Sequence, residues 1–67
     1  MNILLNSKPQ EIADHLTLSL ALQALQIKAI NGIAIAVNNT VISKNDWKSY
    51  TLKPNDALII IKASQGG

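Results

Sequence analysis

The chain has no cysteine, no arginine, three glycines, two prolines and two aromatic side chains, Trp47 and Tyr50. Without cysteine it cannot form a disulfide, a thiolate metal site or a cysteine nucleophile. One histidine, His15, and four scattered carboxylates, Glu11, Asp14, Asp46 and Asp56, leave no cluster with metal-ligand spacing, so no metal site is expected. His15 has no partner nearby in sequence and reads as a solvated turn residue, so no catalytic side chain is expected. The six lysines are dispersed and give a net charge of only +2. Lacking a basic cluster and aromatic platforms, the chain is not expected to bind nucleic acid. No apolar run approaches the ~20 residues of a membrane span. The opening Met1-Asn2-Ile3-Leu4-Leu5 lacks the basic and apolar regions of a signal peptide. The expectation is a soluble, cytoplasmic protein without a membrane partner.

What is present is apolar and ordered by period. Sixty-seven residues, 48% hydrophobic, make one domain, and a domain this small buries only roughly 60% of its unfolded surface. Asn2 to Asn6 reads as a strand. Asn6-Ser7-Lys8-Pro9 carries turn chemistry, and Gln10 to Asp14 returns as a weaker strand anchored by Ile12. A helix is predicted over Leu18 to Lys28, capped by Thr17, with Leu18, Leu22 and Leu25 at i, i+4, i+7. Leu20, Ala24 and Ile27 widen that stripe until only Ser19, Gln23 and Gln26 remain polar, so a sheet face should cover most of the helix. Lys28 suits the helix C-terminus, and Asn31-Gly32 offers a stop.

From Ile33 the period is two. Ile33, Ile35 and Val37 alternate with Ala34 and Ala36, Asn38-Asn39-Thr40 turns the chain, and Val41-Ile42 starts the return. Ser43 to Trp47 reads as one helical turn capped by Ser43. Trp47 is either a plug for the small core or an exposed docking residue, and a domain with one Trp favours the plug. Tyr50 to Leu52 is extended, and Lys53-Pro54-Asn55-Asp56 is a turn with Pro at its second position. In the last strand, Ala57 to Ala63, side chains alternate. Placing Lys62 outside puts Leu58 and Ile60 on the face away from the helix, where Leu58, Ile60 and Lys62 would form a partner-docking surface. The other reading is a strand buried on both faces. The order strand, strand, helix, strand, strand, strand is that of an α+β β-grasp fold. It predicts a mixed four- or five-stranded sheet under one helix, with first and last strands parallel at the centre. Residues 1–63 form the domain and 64–67 a flexible tail, Ser64-Gln65-Gly66-Gly67, whose glycines carry no Cβ to obstruct a narrow channel. That tail is either a frayed end or a reactive terminus.

The stretch Ala36-Val37-Asn38-Asn39-Thr40-Val41-Ile42-Ser43-Lys44-Asn45-Asp46-Trp47 resembles the V-N-x-x-x-V-x-x-x-x-W segment of the ThiS family, the sulfur carriers of thiazole biosynthesis. The family pattern continues in Leu52, Asp56, the run Leu58 to Ile61, and the pair Gly66-Gly67, so the resemblance spans nearly the whole chain. Two positions depart from it: Asn55 stands where Gly is usual, and Lys44 where Arg is common.

The resemblance implies a carrier rather than an enzyme. Gly67 would be the modified terminus, adenylated and then converted to a thiocarboxylate, with Gly66 and Gln65 recognised as the tail. No cofactor would be bound. ATP-Mg would be used by a ThiF-like adenylyltransferase, sulfur would come from a donor such as a cysteine desulfurase, and a ThiG-like thiazole synthase would accept it. With no cysteine in the chain, that sulfur must come from elsewhere. Two rivals stand beside it. One is a MoaD-like small subunit of molybdopterin synthase, usually longer and without this Asn-to-Trp spacing. The other is a non-catalytic β-grasp interaction module such as a TGS domain, which needs no free Gly67.

Overall fold

A computed structural model describes residues 1–27 and 32–62. The elements are β1 (Asn2–Leu5), β2 (Lys8–Glu11), α1 (Leu18–Ala24), β3 (Ile33–Val37), β4 (Thr40–Ile42), a single 3₁₀ turn (Lys44–Asp46) and β5 (Ala57–Lys62). They form a five-stranded mixed sheet in the order β2-β1-β5-β3-β4. β1 and β5 are parallel neighbours at its centre and every other pairing is antiparallel. This is the expected β-grasp arrangement. The tail expected at 64–67 and the expected roles of Lys28 and Asn31 lie outside the described residues.

Asparagine makes most of the sharp turns. Asn6 and Ser7 (φ 49° and 70°) join β1 to β2, and Asn38 and Asn39 (φ 51° and 70°) join β3 to β4. Two successive left-handed residues are what a two-residue hairpin needs if its twist is to match the strands. The first turn is two residues long, so β2 starts at Lys8, earlier than the predicted Gln10. It takes in Pro9, which pairs with Leu4 and is tolerated because β2 is an edge strand. Asn55 (φ 69°) occupies the left-handed third position of the Lys53–Asp56 turn, which Asp56 N–H closes on Lys53 O at 3.1 Å. Asn is one of the few residues with a Cβ that accepts this geometry, so it replaces Gly at little cost.

The helix is shorter than its periodicity suggests. Its first free amides are all satisfied: Leu18 N–H by Tyr50 O, Ser19 N–H by Trp47 O, and Leu20 N–H by the Thr17 hydroxyl at 3.3 Å. It closes at Leu25 because Gln26 turns left-handed (φ 60°). Ile27 N–H then reaches back to Leu22 O and Gln26 N–H to Gln23 O, the paired bonds of a Schellman cap. Leu18, Ala21 and Leu22 are buried and Leu25 half-buried, but Leu20 and Ala24 are exposed. The sheet covers one stripe of α1 and not most of its circumference, as the sequence had suggested.

Beneath α1 the core joins Ile3, Ile12, Leu18, Leu22, Ile35, Val37, Leu52 and Leu58. Trp47 closes one end, 4% exposed, its indole N–H donating to Ile42 O at 3.0 Å. The Lys44 ammonium lies 5.9 Å from the centre of its ring. The plug reading of Trp47 therefore holds. Ser43 precedes the 3₁₀ turn but makes no side-chain cap.

Candidate functional site

Strand β5 connects the core to the tail, and its faces are the reverse of those predicted. Leu58 is fully buried and Ile60 half-buried, both packed with the core under α1. Ile59 and Ile61 are 42% and 48% exposed on the opposite face. The docking role assigned to Leu58 and Ile60 is corrected accordingly. The error came from Lys62. It shares the parity of Leu58 and Ile60, but it sits at the last ladder position, opposite Ile33, and is exposed. At a strand end an ammonium escapes to solvent on either face, so its charge does not report which face is inside.

The partly apolar outer face itself exists, built by the alternate residues. In register across the sheet, Val41 pairs with Ala36 and Ala36 with Ile59, while Ala34 pairs with Ile61. Leu4 on β1 shares this face. The exposed large apolar residues of the sheet are Leu4, Val41, Ile59 and Ile61. A contiguous apolar surface of this kind, with small alanines as its floor, suits contact with another protein.

Two side-chain clamps hold β5. Asp56, buried in spite of its charge, accepts from Asn38 Nδ2 through Oδ1 at 3.0 Å and from Lys53 N–H through Oδ2 at 2.8 Å. Asn38 Oδ1 accepts from Ala57 N–H at 3.0 Å, and Asn38 N–H donates to Ala57 O at 2.8 Å. The β3–β4 turn is thereby tied to the first residue of β5. Each lone pair so used offsets the cost of burying a carboxylate. Farther along, Asn6 N–H donates to Leu58 O and Asn6 Oδ1 accepts from Ile60 N–H, both at 2.9 Å. Sequence reading marked Asn6 and Asn38 as turn residues and missed that their amides grip β5. An Asn rather than Gly at each turn was the signal available.

No chemistry-bearing cluster accompanies this surface among the described residues. Among the described residues no group of three or more His, Cys, Asp or Glu side chains could hold a metal ion. His15 is exposed in a turn (φ 62°) beside Asp14. The Met1 ammonium, 2.9 Å from Asp14, holds the Asp14 carboxyl below its ordinary value. No described helix is long and apolar enough to cross a membrane. The predicted tail residues Gln65, Gly66 and Gly67 lie outside the described residues.

Known proteins place this architecture. A crystal structure of a thiamine biosynthesis protein (ThiS) from Geobacter metallireducens superposes with a TM-score of 0.89 at 26% identity, over 100% of both chains. An NMR solution structure of a thiamine biosynthesis protein from the same organism gives 0.78 at 26% identity, over 100% of this chain and 88% of that one. No curated protein sequence matches the chain. The sequence profile of the ThiS family matches residues 3–67, from the first strand through the terminal glycine pair, and the chain belongs to the ThiS family.

Proposed function

We propose that this chain is a sulfur carrier whose Gly67 carboxylate is the working group. The observation that supports this most directly is continuity. The family match runs through Gly67, and the central strand β5 ends at Lys62, five residues before it. A strand clamped by Asn6 and Asn38 thus ends five positions before the carboxylate proposed to react.

The chemistry follows from that group. A carboxylate resists nucleophiles because it is negatively charged and its oxygen leaves poorly. A ThiF-like adenylyltransferase transfers AMP from ATP-Mg to the Gly67 oxygen and releases pyrophosphate, which corrects both defects. A persulfide on the sulfur donor attacks the carbonyl carbon, and AMP leaves with its bonding electrons. A thiol then cleaves the S–S bond, becoming a disulfide, and Gly67 is left as a thiocarboxylate. A ThiG-like thiazole synthase takes the sulfur. The chain is co-substrate in every step and supplies no catalytic side chain. Ile59, Ile61 and Val41, in place of Leu58 and Ile60, form the docking surface, with Lys62 at its tail-side end, and Gln65 and Gly66 are read inside the partner's channel.

Intact mass tests this. After incubation with the adenylyltransferase, ATP, a sulfur donor and a thiol, the chain should gain about 16 Da as one oxygen is replaced by sulfur. One residue added after Gly67 should abolish the gain, and an unchanged gain in that extended chain refutes the proposal.

A further inference from the structure

One edge of β5 is paired with β3 along its whole length, from Val37–Leu58 to Ile33–Lys62. The other edge is covered only at its start. β1 pairs there with Ala57 and Leu58 and then turns away at Asn6-Ser7. Leu4 N–H bonds to Asp56 O and Asn6 N–H to Leu58 O, so Asp56, Leu58, Ile60 and Lys62 direct their backbone groups toward the β1 side. In a continued parallel ladder the next bond would bring a backbone carbonyl to Ile60 N–H. The Asn6 side-chain oxygen stands in that place. Beyond it, Ile60 C=O and Lys62 N–H point into the lane that β1 has left, and among the described residues nothing bonds to either.

We propose that this lane receives one extended backbone segment of the enzyme that acts on Gly67, pairing with Ile60 C=O and Lys62 N–H. The inference rests on the reading of Gly67 as the processed group. The position of the lane selects the occupant. Gly67 is five positions beyond Lys62, a span of at most about 17 Å when extended. An enzyme that reaches the terminal carbon must therefore place its own chain beside this stretch. Ile59 and Ile61, both on the exposed face, border the lane and offer apolar contact to alternate side chains of an incoming strand. Backbone pairing reads direction and register without reading side chains, which suits delivery of a tail ending in two glycines. The Asn6 amide closes the slot next to β1, so the incoming segment is confined to the tail-proximal groups. An unpaired edge invites wrong partners as well. The exposed Lys62 ammonium at its end disfavours pairing with a second copy of the chain.

The test uses the full-length chain and its adenylyltransferase. In the free chain the Lys62 amide should exchange with deuterium at the unprotected rate, and it should slow at least about a hundredfold in the complex. Lys62→Pro removes the donor without touching the β3 ladder, and Lys62→Ala controls for the lost ammonium. In ATP–pyrophosphate exchange, the KM for Lys62→Pro should rise about fivefold or more over that of Lys62→Ala, the scale of one lost hydrogen bond, with kcat unchanged. Equal KM values in two folded variants overturn the inference. An unprotected Lys62 amide in the complex does so even if Lys62→Pro fails to fold. Protection that grows with concentration in the free chain assigns the lane to a second copy and also overturns it. If the unaltered chain supports no pyrophosphate exchange, the reading of Gly67 fails and this inference with it; exchange with the lane unprotected removes the inference alone.

Discussion

The inverted faces of β5 can be tested by a pair of neighbouring substitutions. Leu58 is fully buried against the core beneath α1, whereas Ile59, one residue on, is 42% exposed on the outer face. Leu58→Ala removes buried methyl groups and leaves a cavity, which costs about 2–5 kcal/mol. At roughly 0.05–0.15 kcal/mol per residue, a chain of this length has about 3–10 kcal/mol in total, so the substitution consumes a large share. A loss of 3 kcal/mol should lower Tm by about 12–24 °C in a domain of this size. Ile59→Asp forfeits partial apolar contact and β-strand preference, together about 1 kcal/mol, and places its charge in solvent. It should stay folded, yet it should weaken docking to the adenylyltransferase, because binding would bury that charge without a partner. Thermal melts followed by the fluorescence of Trp47, together with KM in pyrophosphate exchange, separate the two effects. A folded Leu58→Ala within 1 kcal/mol of the parent, beside an unfolded Ile59→Asp, would refute the face assignment.

Leu22→Ala on α1 should likewise cost about 2–5 kcal/mol in urea denaturation, since Leu22 is 2% exposed. Asp56→Ala strips the acceptors from Asn38 Nδ2 and Lys53 N–H and should cost about 1–3 kcal/mol, whereas a measured cost near zero would mean the clamp is redundant. Gly67→Val should leave stability within about 0.5 kcal/mol while thiocarboxylate formation, read by mass, falls severely because a branched Cβ crowds the carbon under attack. Asp14 has a carboxyl held below its ordinary 3.8 by the Met1 ammonium. Its contribution is therefore complete above that pH and disappears as pH falls through the lowered value. The stability difference between the parent and Asp14→Asn should be constant near neutrality and vanish in acid, and a difference that grows on acidification would contradict the ion pair.

Much of the fold was legible in the sequence because it rests on local chemistry. Period two over Ile33 to Val37, the Thr17 cap, and Asn at the left-handed turn positions are decided by the residues themselves. The V-N to Trp spacing and the glycine pair pointed to the same family, and the match over residues 3–67 bears that out. Tertiary structure decided what local patterns leave degenerate. The alternation in β5 says that Leu58 and Ile59 face opposite ways but not which is inside, and Lys62 misled because a strand end offers its charge solvent on either side. The apolar breadth of α1 overstated its cover, since one sheet touches one stripe and leaves Leu20 in water. The grip of Asn6 on Ile60, 54 positions away in the chain, depends on β1 and β5 becoming parallel neighbours. The order of elements anticipated that pairing, but no period or propensity encodes which side chain bridges it, because the contact forms only once the two strands lie side by side.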